Sequence, residues 1–307
     1  MKVALTNLSN SLYEKSRHRL NDSASKFGIS DIYSYDFEEI KPTSFFSENR
    51  ELLNQARGLG FWLWKPYLVL QAFNNLNNND VVIYSDSGIE IIDKPDPLVR
   101  ICSEHAPVML FGNSDLVNFT WTKRDCFVLM NADHREFWYS LQCDAAFALF
   151  RKTDLSIRFL QDWLTFGSDP RIISDIPNTC GKKNLFGFVE HRWDQSVLSI
   201  LARQYNLPLF RMPTQFGNHY KMKGFQVEKE FNCENQVDQR QLDFYVEHAY
   251  ENSPYFQLLN HHRSTNRKAG EVKKNSLKRK IGRRIQNLKY KRALSLHQKE
   301  IIEVRGW

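Results

Sequence analysis

Residues 58–90 read GLGFWLWKPYLVLQAFNNLNNNDVVIYSDSGIE and contain the features that decide the fold. Apolar residues between positions 67 and 76 recur at helical spacing, and Pro66 suits the first turn of a helix. The run at 81–84 is short and rich in β-branched residues, which is typical of a buried strand. Asp86 follows this strand directly. Ligands of open α/β sheets bind at the carboxyl ends of the strands, so we expect a functional site here.

The residues before this stretch follow the same pattern. Residues 2–6 are predicted to form a strand, residues 12–27 a helix that ends at Gly28, and residues 29–35 a second strand. This order begins a right-handed βαβ unit, which the helix and strand of residues 66–84 continue. The sequence therefore predicts an α/β protein, a three-layer α/β/α sandwich around a mixed, mostly parallel sheet.

Beyond residue 88, apolar runs and amphipathic stretches alternate. They predict strands at residues 89–92, 108–111, 140–150 and 207–211, helices at 98–105, 154–166 and 194–205, and a loop or edge strand at 118–125. Neither a G-x-G-x-x-G motif nor a Walker loop occurs in the chain. Their absence disfavours a Rossmann dinucleotide enzyme and a P-loop kinase.

The net charge of +7 over 307 residues is concentrated near the C-terminus. Residues 267–292 contain twelve Lys or Arg residues and one acidic residue, whereas residues 1–266 contain 28 basic and 32 acidic residues. The body is therefore mildly acidic, and the basic character belongs to the tail. A nucleic-acid-binding protein acting through residues 267–292 is one alternative function, although the acidic body and the lack of an RNA-binding motif weigh against it.

The cysteine content favours a reducing environment. The chain has five cysteines, an odd number, and no C-x-x-C pair. This pattern favours reduced cysteines in a cytoplasmic chain over a disulfide framework or a zinc site. No apolar run reaches the roughly 18 residues of a membrane helix, and the first residues lack the apolar segment of a signal peptide. We therefore expect a cytoplasmic protein.

Three short motifs occur in order along the chain: W-x-W-K-P at 62–66, Y-x-D-x-G at 84–88 and H-R-x-D-Q-S at 191–196. With these motifs, and with Lys-Arg-Asp at 123–125, the chain resembles GT-A-type glycosyltransferases. Within that class it is similar to bacterial transferases of capsule and O-antigen synthesis. The resemblance extends from about residue 1 to about residue 263.

This resemblance implies a domain division and a reaction. A GT-A-like catalytic domain at 1–263 would have a donor half at about 1–130 and an acceptor half at about 131–263, followed by a basic helical tail at 264–307. The enzyme would move a sugar from a nucleotide-diphosphate sugar to a lipid-linked glycan in surface polysaccharide biosynthesis, as a hexosyltransferase-like transferase of undecided stereochemistry. A nucleotidyltransferase, which shares such a fold, is the alternative enzyme.

Asp86 is the first candidate for catalysis and donor binding. The resemblance places it where many GT-A enzymes have the first carboxylate of an Asp-x-Asp pair, which contacts ribose or a divalent cation. Gly88 replaces the second carboxylate, so dependence on Mg²⁺ or Mn²⁺ stays open. In several GT-A families a late histidine completes the metal shell; His261 is the candidate here and His219 its rival. The alternative for Asp86 is an ordinary turn residue.

The other donor-binding candidates are cations and turn residues. Lys65 lies at a predicted helix start, where an ammonium group and a helix N-terminus together favour an anion; otherwise it is a solvated lysine. Lys123 and Arg124 form a pair of cations that suits pyrophosphate or an acidic acceptor, or else a surface charge cluster. Ser87 and Gly88, which follow Asp86, complete the predicted donor-binding set.

The H-R-x-D-Q-S motif supplies the candidates for the acceptor side. Asp194 opens a predicted helix and complements its dipole whatever its function. As chemistry, its carboxylate is predicted to act as a general base or to orient the acceptor. His191, Arg192 and Gln195 are the predicted acceptor-binding residues.

The basic tail has a narrow apolar stripe at helical spacing, formed by Leu277, Ile281, Ile285 and Leu288. Such a stripe in a basic field is typical of a helix in a membrane interface. We therefore predict an anionic membrane surface as a partner of residues 267–296, at the inner face of the plasma membrane. The alternative is that the stripe packs on the protein itself or on a partner subunit.

Overall fold

A computed structural model describes residues 1–217, 252–262 and 277–304. The described strands are β1 (Val3–Ser9), β2 (Asp31–Asp36), β3 (Val81–Ser85), β4 (Ile89–Ile91), β5 (Val108–Val117), β6 (Leu141–Arg151), β7 (Leu209–Phe210) and β8 (Leu259–His261). Six of them form one sheet in the order β2-β1-β3-β6-β5-β7, and β4 pairs with β8 separately. In the larger sheet β1 is parallel to β2 and β3, β5 is parallel to β7, and β6 is antiparallel to both of its neighbours. The predicted mixed, mostly parallel sheet is confirmed.

Helices of very different length connect the strands. They are α1 (Glu14–Lys26), α2 (Phe37–Ile40), α3 (Ser44–Glu48), α4 (Arg50–Leu53), α5 (Gly58–Phe61), α6 (Trp64–Asn74), α7 (Asp96–Glu104), α8 (Asn118–Trp121), α9 (Arg124–Leu129), α10 (Arg135–Trp138), α11 (Asp154–Gly167), α12 (Pro170–Ile173), α13 (Asp194–Gln204), α14 (Leu277–Leu296) and α15 (Gln298–Val304), with a 3₁₀ turn at Ser11–Tyr13.

The sheet has a hydrophobic core on each face. Along β3, Val82 and Tyr84 belong to the core shared with α6, α11 and α13, whereas Val81 and Ile83 belong to the core shared with α1 and α7. All five residues of β3 are buried. Because neighbouring side chains of a strand point to opposite faces, a strand buried on both sides has a continuous apolar sequence. The three-layer α/β/α arrangement is therefore confirmed.

The segment at 118–125, predicted as a loop or edge strand, forms α8 and the start of α9 instead. Side-chain hydrogen bonds explain the difference. The Asn118 amide donates to Phe137 O and to Ser140 Oγ at 3.2 and 2.9 Å. The buried carboxylate of Asp125 accepts bonds from the backbone N–H groups of Thr179 and Cys180. Helices of four and six residues leave no detectable periodicity in a sequence.

The C-terminal helices pack on the body through one face, as judged from their described side chains. Ala293, Leu294 and Ile301 are buried against Val117 and Phe119. On the other side of α14, Ile285, Leu288 and Leu296 are 49%, 68% and 59% exposed. The predicted apolar stripe is therefore distinct from the face that docks, as far as its described side chains show; those of Leu277 and Ile281 lie outside the described residues. None of the described helices is long and apolar enough to cross a bilayer.

Candidate active site

A strained turn before α6 sets the position of the W-x-W-K-P motif. Three residues that are not glycine have left-handed φ angles here, namely Leu59 (54°), Phe61 (55°) and Trp62 (61°). Gly58 lies under the Trp62 ring, so close that a Cβ atom at Gly58 would be 2.4 Å from it. Trp64 Nε1 donates to Gly58 O at 3.0 Å and closes the turn. Backbone strain of this kind is concentrated at functional sites.

Lys65, in the first turn of α6, points into the protein with only 3% of its side chain exposed. Its ammonium nitrogen lies 2.8 Å from Asp194 Oδ2, 3.3 Å from Asp86 Oδ1 and 2.8 Å from Ala145 O. The ammonium thus donates a hydrogen bond to Ala145 O and forms ion pairs with both carboxylates. One lysine thus joins the carboxylates of two motifs that are 108 positions apart in the chain.

Charge balance decides the protonation of this cluster. Burial alone would lower the pKa of Lys65, but the carboxylates of Asp194 and Asp86 outweigh burial and raise it, so the ammonium stays charged. Burial raises the pKa of Asp194 to about 6 against the opposing effect of Lys65, with a further rise from Asp86. At neutral pH the cluster therefore contains two carboxylates around one cation.

Asp86 is the most accessible member of the cluster, with 29% of its side chain exposed, compared with 5% for Asp194. The Tyr84 hydroxyl donates to Asp86 Oδ1 at 2.5 Å. Burial and the Asp86 carboxylate raise the pKa of Tyr84 well above its usual value, so the phenol keeps its proton and remains a donor. The cluster therefore presents an oriented carboxylate at the carboxyl edge of β3, where α/β proteins bind ligands.

Asp144, in β6, is a site residue that the sequence analysis missed. Because β6 runs antiparallel to β3, its first half lies beside the carboxyl end of β3. Burial raises the pKa of Asp144, and the nearby Asp86 carboxylate adds to the rise. The only signal in the sequence is one charge in the otherwise uncharged run SLQCDAAFALF at 140–150.

The second sheet brings His261 towards the cluster. β8 pairs with β4 so that His261 lies opposite Ile89, three residues after Asp86. His261 is close enough to Asp144 to oppose the rise in the pKa of that carboxyl. His262 Nε2 lies 2.6 Å from Glu90 Oε2. The rival candidate, His219, lies outside the described residues.

The residues at this edge do not fit an Asp-x-Asp metal site. A Cβ atom at Gly88 would lie 2.8 Å from His262 O, so there is no room for a second carboxylate. Asp86 Oδ1 already faces the Tyr84 hydroxyl and the Lys65 ammonium. Among the residues with described positions, no three His, Cys, Asp or Glu side chains are grouped closely enough to hold a metal ion. The predicted Mg²⁺ or Mn²⁺ stays a prediction.

Lys123 and Arg124 have other partners within the protein. Lys123 is buried, and its ammonium donates to Ile176 O at 2.7 Å and to Ser174 O at 3.4 Å. Arg124 Nε lies 2.8 Å from Asp133 Oδ1. These contacts tie the segment after α12 to the start of α9. The structure therefore brings Lys65, Asp86 and Asp194 together and gives Lys123 and Arg124 anchoring contacts; their donor-binding role stays a prediction.

The predicted acceptor-binding residues lie around the start of α13. His191 is buried; Nδ1 accepts from Lys123 N–H at 3.3 Å, and Nε2–H donates to Ile172 O at 2.9 Å. Burial lowers the pKa of His191 to about 3, so the ring is neutral. The Arg192 guanidinium lies 4.4 Å from the centre of a Trp121 ring. Gln195 Nε2 donates to Gln142 Oε1 at 2.6 Å.

Comparisons of the structure with solved proteins find glycosyltransferases. Mouse xyloside xylosyltransferase 1 in its apo form matches with a TM-score of 0.45 and 8% identity, over 86% of this chain and 98% of that chain. The galactosyltransferase LgtC in complex with donor and acceptor sugar analogs matches with a TM-score of 0.39 and 10% identity, over 93% of this chain and 95% of that chain. The apo structure of the WbbM bifunctional glycosyltransferase matches with a TM-score of 0.39 and 12% identity, over 65% of this chain and 37% of that chain. The chain thus spans little more than a third of the WbbM chain. No protein-family model and no curated protein matches the sequence.

The cluster predicts a pH-dependent effect of Lys65→Met. Methionine removes the cation and leaves the two carboxylates unbalanced, so we expect the free energy of unfolding at pH 7 to fall by about 3–5 kcal/mol. Without the ammonium the folded-state pKa of Asp194 rises further above its unfolded value. Asp194 then takes up a proton as the pH falls, and the loss is smaller at pH 5 than at pH 7. Chemical unfolding at both pH values measures it.

Lys152→Met is the matched control for this experiment. The Lys152 ammonium donates to two backbone carbonyls, Phe73 O and Leu76 O, and to no carboxylate within the described part of the chain. Its replacement should cost the same at pH 5 and pH 7. A loss in Lys65→Met that is equally independent of pH would contradict the charge balance derived above.

Proposed function

We propose that this protein is a glycosyltransferase that uses a nucleotide-diphosphate sugar as donor. One observation carries the proposal. The W-x-W-K-P, Y-x-D-x-G and H-R-x-D-Q-S motifs each contribute one charged group to a single cluster, in which Lys65 contacts Asp86 and Asp194. The cluster lies at the carboxyl edge of a mixed sheet and contains groups with perturbed pKa values, as active sites commonly do.

The partly exposed Asp86 is the residue that we assign to the donor. Its carboxylate is oriented by Tyr84 and Lys65, so it can accept a hydrogen bond from a hydroxyl group of the sugar nucleotide without reorganising. Asp144 borders the same edge and supplies a second hydrogen-bond acceptor for the sugar nucleotide. Lys65, which is buried between the two motif carboxylates, acts by positioning them. No specific observation favours a nucleotidyltransferase or a nucleic-acid-binding protein.

The proposed reaction exchanges one bond to the donor sugar for another. The acceptor hydroxyl oxygen bonds to the anomeric carbon, and the bond from that carbon to the diphosphate oxygen breaks. The nucleoside diphosphate leaves with the bonding electron pair, and the hydroxyl proton passes to a carboxylate of the site. Inversion and retention at that carbon both stay open. Because Asp194 is 5% exposed and bound to Lys65, we assign it a positioning role through that lysine.

A ligand screen tests the donor assignment. The protein is heated with UDP-, GDP- and dTDP-sugars, and with a CMP-sugar as the monophosphate control, each with and without Mn²⁺. The sugar nucleotide that binds should raise the melting temperature; at one hundred times the Kd it adds about 2.7 kcal/mol. Asp86→Asn should weaken this shift and lower turnover by about 10²–10³-fold. If no sugar nucleotide stabilises the wild type, or if Asp86→Asn leaves both quantities unchanged, the proposal is wrong. A shift that requires Mn²⁺ would support the predicted cation.

The pH dependence of turnover tests the role of Asp194. Because burial raises the pKa of Asp194 to about 6, the negative charge of Asp194 beside Lys65 is present above that pH and lost below it. We expect kcat for donor turnover to fall on the acid side with an apparent pKa near 6. In Asp194→Asn this limb should be absent and kcat about 10–100-fold lower, as expected for misplaced groups.

A double-mutant cycle separates positioning from direct proton transfer. If Asp194 acts through Lys65, the variant with both Lys65→Met and Asp194→Asn loses no more activity than the worse single variant. Additive losses, or an acid limb retained in Asp194→Asn, would contradict this assignment and support an independent role for the carboxylate.

We further propose that the acceptor is a lipid-linked glycan of surface polysaccharide synthesis and that α14 holds the enzyme at an anionic membrane surface. On α14 the exposed apolar residues Ile285 and Leu288 lie among exposed cations. The described exposed cations on this helix are Arg284, Lys289, Lys291 and Arg292. Each cation near an anionic leaflet contributes roughly 1 kcal/mol. A docked helix with an exposed amphipathic face suits this attachment.

Vesicle co-sedimentation tests the membrane proposal. The full chain should pellet with anionic vesicles containing phosphatidylserine but stay in solution with phosphatidylcholine vesicles. A concentration of 0.5 M NaCl, which shortens the Debye length to about half its value in physiological salt, should release the protein from the anionic vesicles. The variant with Ile285→Ser and Leu288→Ser should lose binding. Phe256→Ser is the matched control, because Phe256 is 46% exposed, close to the 49% of Ile285. Equal pelleting of all three proteins would exclude α14 as the anchor.

A further inference from the structure

A large groove lies beside the cluster and is not explained by donor binding. Its two walls are residues 47–57, which include α4, and residues 168–176, which include α12. We call it the α4–α12 groove. Its volume is about 910 Å³, near the upper end of the roughly 300–1,000 Å³ found for ligand pockets. A ligand larger than a single sugar ring fits this space.

The two walls meet at an ordered set of planar groups. Arg57 Nε, from one wall, lies 3.2 Å from Asp175 Oδ2, from the other. The Arg57 guanidinium also lies 4.4 Å from the centre of a Trp193 ring, and Trp193 Nε1 donates to Asp175 Oδ1 at 2.8 Å. About half of each charged side chain remains exposed. Both therefore keep donors or acceptors that face the groove.

Trp193 connects the groove to the Lys65 cluster. Its backbone has φ 50° and ψ −120°, a conformation that is rare for a residue other than glycine. The next residue is Asp194, whose carboxylate contacts Lys65 on the other side of the turn. Trp193 also packs on Trp62, with ring centres 5.4 Å apart. A ligand held on Arg57 and Asp175 thus lies beside Trp193, which directly precedes a residue of the cluster in the chain.

The charges of the lining select the class of ligand. Three acidic residues and two arginines line the groove, a mixed set with a net charge of −1; they are Glu48, Glu51, Asp175, Arg50 and Arg57. Such a lining gives no net attraction to a polyanion such as a nucleoside diphosphate. The amides of Asn49 and Gln55 add neutral donors and acceptors. The exposed side chain of Ile176 adds an apolar surface.

We propose that the α4–α12 groove binds the acceptor as a neutral oligosaccharide of at least two sugar rings. This assignment rests on the proposed glycosyltransferase function. Hydroxyl groups of the sugar bond to the guanidinium, carboxylate and amide groups of both walls, and the C–H faces pack on the apolar surface. The groove thereby carries acceptor specificity, whereas the edge at Asp86 and Asp144 carries donor binding.

Saturation-transfer NMR on the full chain tests this assignment. The probes are three neutral trisaccharides, maltotriose, cellotriose and raffinose, and one acidic trisaccharide, 3′-sialyllactose. We expect at least one neutral trisaccharide to bind and to bind more tightly than the acidic one. Arg57→Ala and Asp175→Asn should each weaken this binding at least tenfold. The signal from the sugar nucleotide identified by the donor screen should change less than twofold.

Two further variants guard against an effect on folding. Ala56→Trp fills the groove from an exposed position and leaves the Arg57–Asp175 ion pair in place. It should also abolish trisaccharide binding. Arg135→Ala is the matched control, because Arg135 and Glu303 form an ion pair of similar exposure on another surface. This control should bind trisaccharides as the wild type does.

The outcomes distinguish this inference from the proposed function. If the wild type binds a sugar nucleotide but no neutral trisaccharide, the groove assignment fails and the proposed function stands. The assignment also fails if Ala56→Trp binds trisaccharides normally, or if only the acidic probe binds. If trisaccharides bind in the groove but no sugar nucleotide binds anywhere, the groove is a glycan site and the transferase proposal is refuted.

Discussion

The buried ammonium of Lys65 is the interaction on which the site depends. It joins Asp86, which follows β3, to Asp194, which begins α13; the two carboxylates would repel each other without a cation between them. A buried ion pair adds little net stability compared with apolar packing, but removal of one partner is costly because a bare charge is left behind. The arrangement is therefore better explained by the precise placement of charge than by a gain in stability.

This placement makes demands on the surrounding backbone. α6 must begin so that Lys65 points under the sheet edge, and the turn before it contains three left-handed residues and Gly58, which is packed against Trp62. At the other end of the cluster, Trp193 has an equally unusual backbone conformation. The two tryptophans meet, so the strained segments support each other. The groove beside them is shaped by the same contacts.

The C-terminal helices have a docked face and an exposed face that a single apolar pattern would not reveal. Ala293 and Leu294 of α14 and Ile301 of α15 attach them to the body, whereas Ile285 and Leu288 of α14 face away from that contact. Residues three or four positions apart share one face of a helix, whereas residues one or two positions apart do not. Docked and exposed apolar residues can therefore alternate along the same helix. The docked residues thus lie outside the predicted stripe, and contact of the exposed face with a membrane stays a proposal.

The sequence by itself determined the sheet, its central strand and the main helices, because the period of apolar residues reflects which faces are buried. It also identified Lys65, Asp86 and Asp194 as candidates, since each stands at the end of a periodic element. It did not determine that one lysine joins them, that Asp144 borders them, or that Lys123 and His191 are occupied by backbone contacts. An antiparallel β6 brings Asp144 beside the carboxyl end of β3. The packing of α12 and the segment after it near α9 and α13 supplies the carbonyl groups that meet Lys123 and His191. Such contacts join distant residues and leave no trace in local spacing.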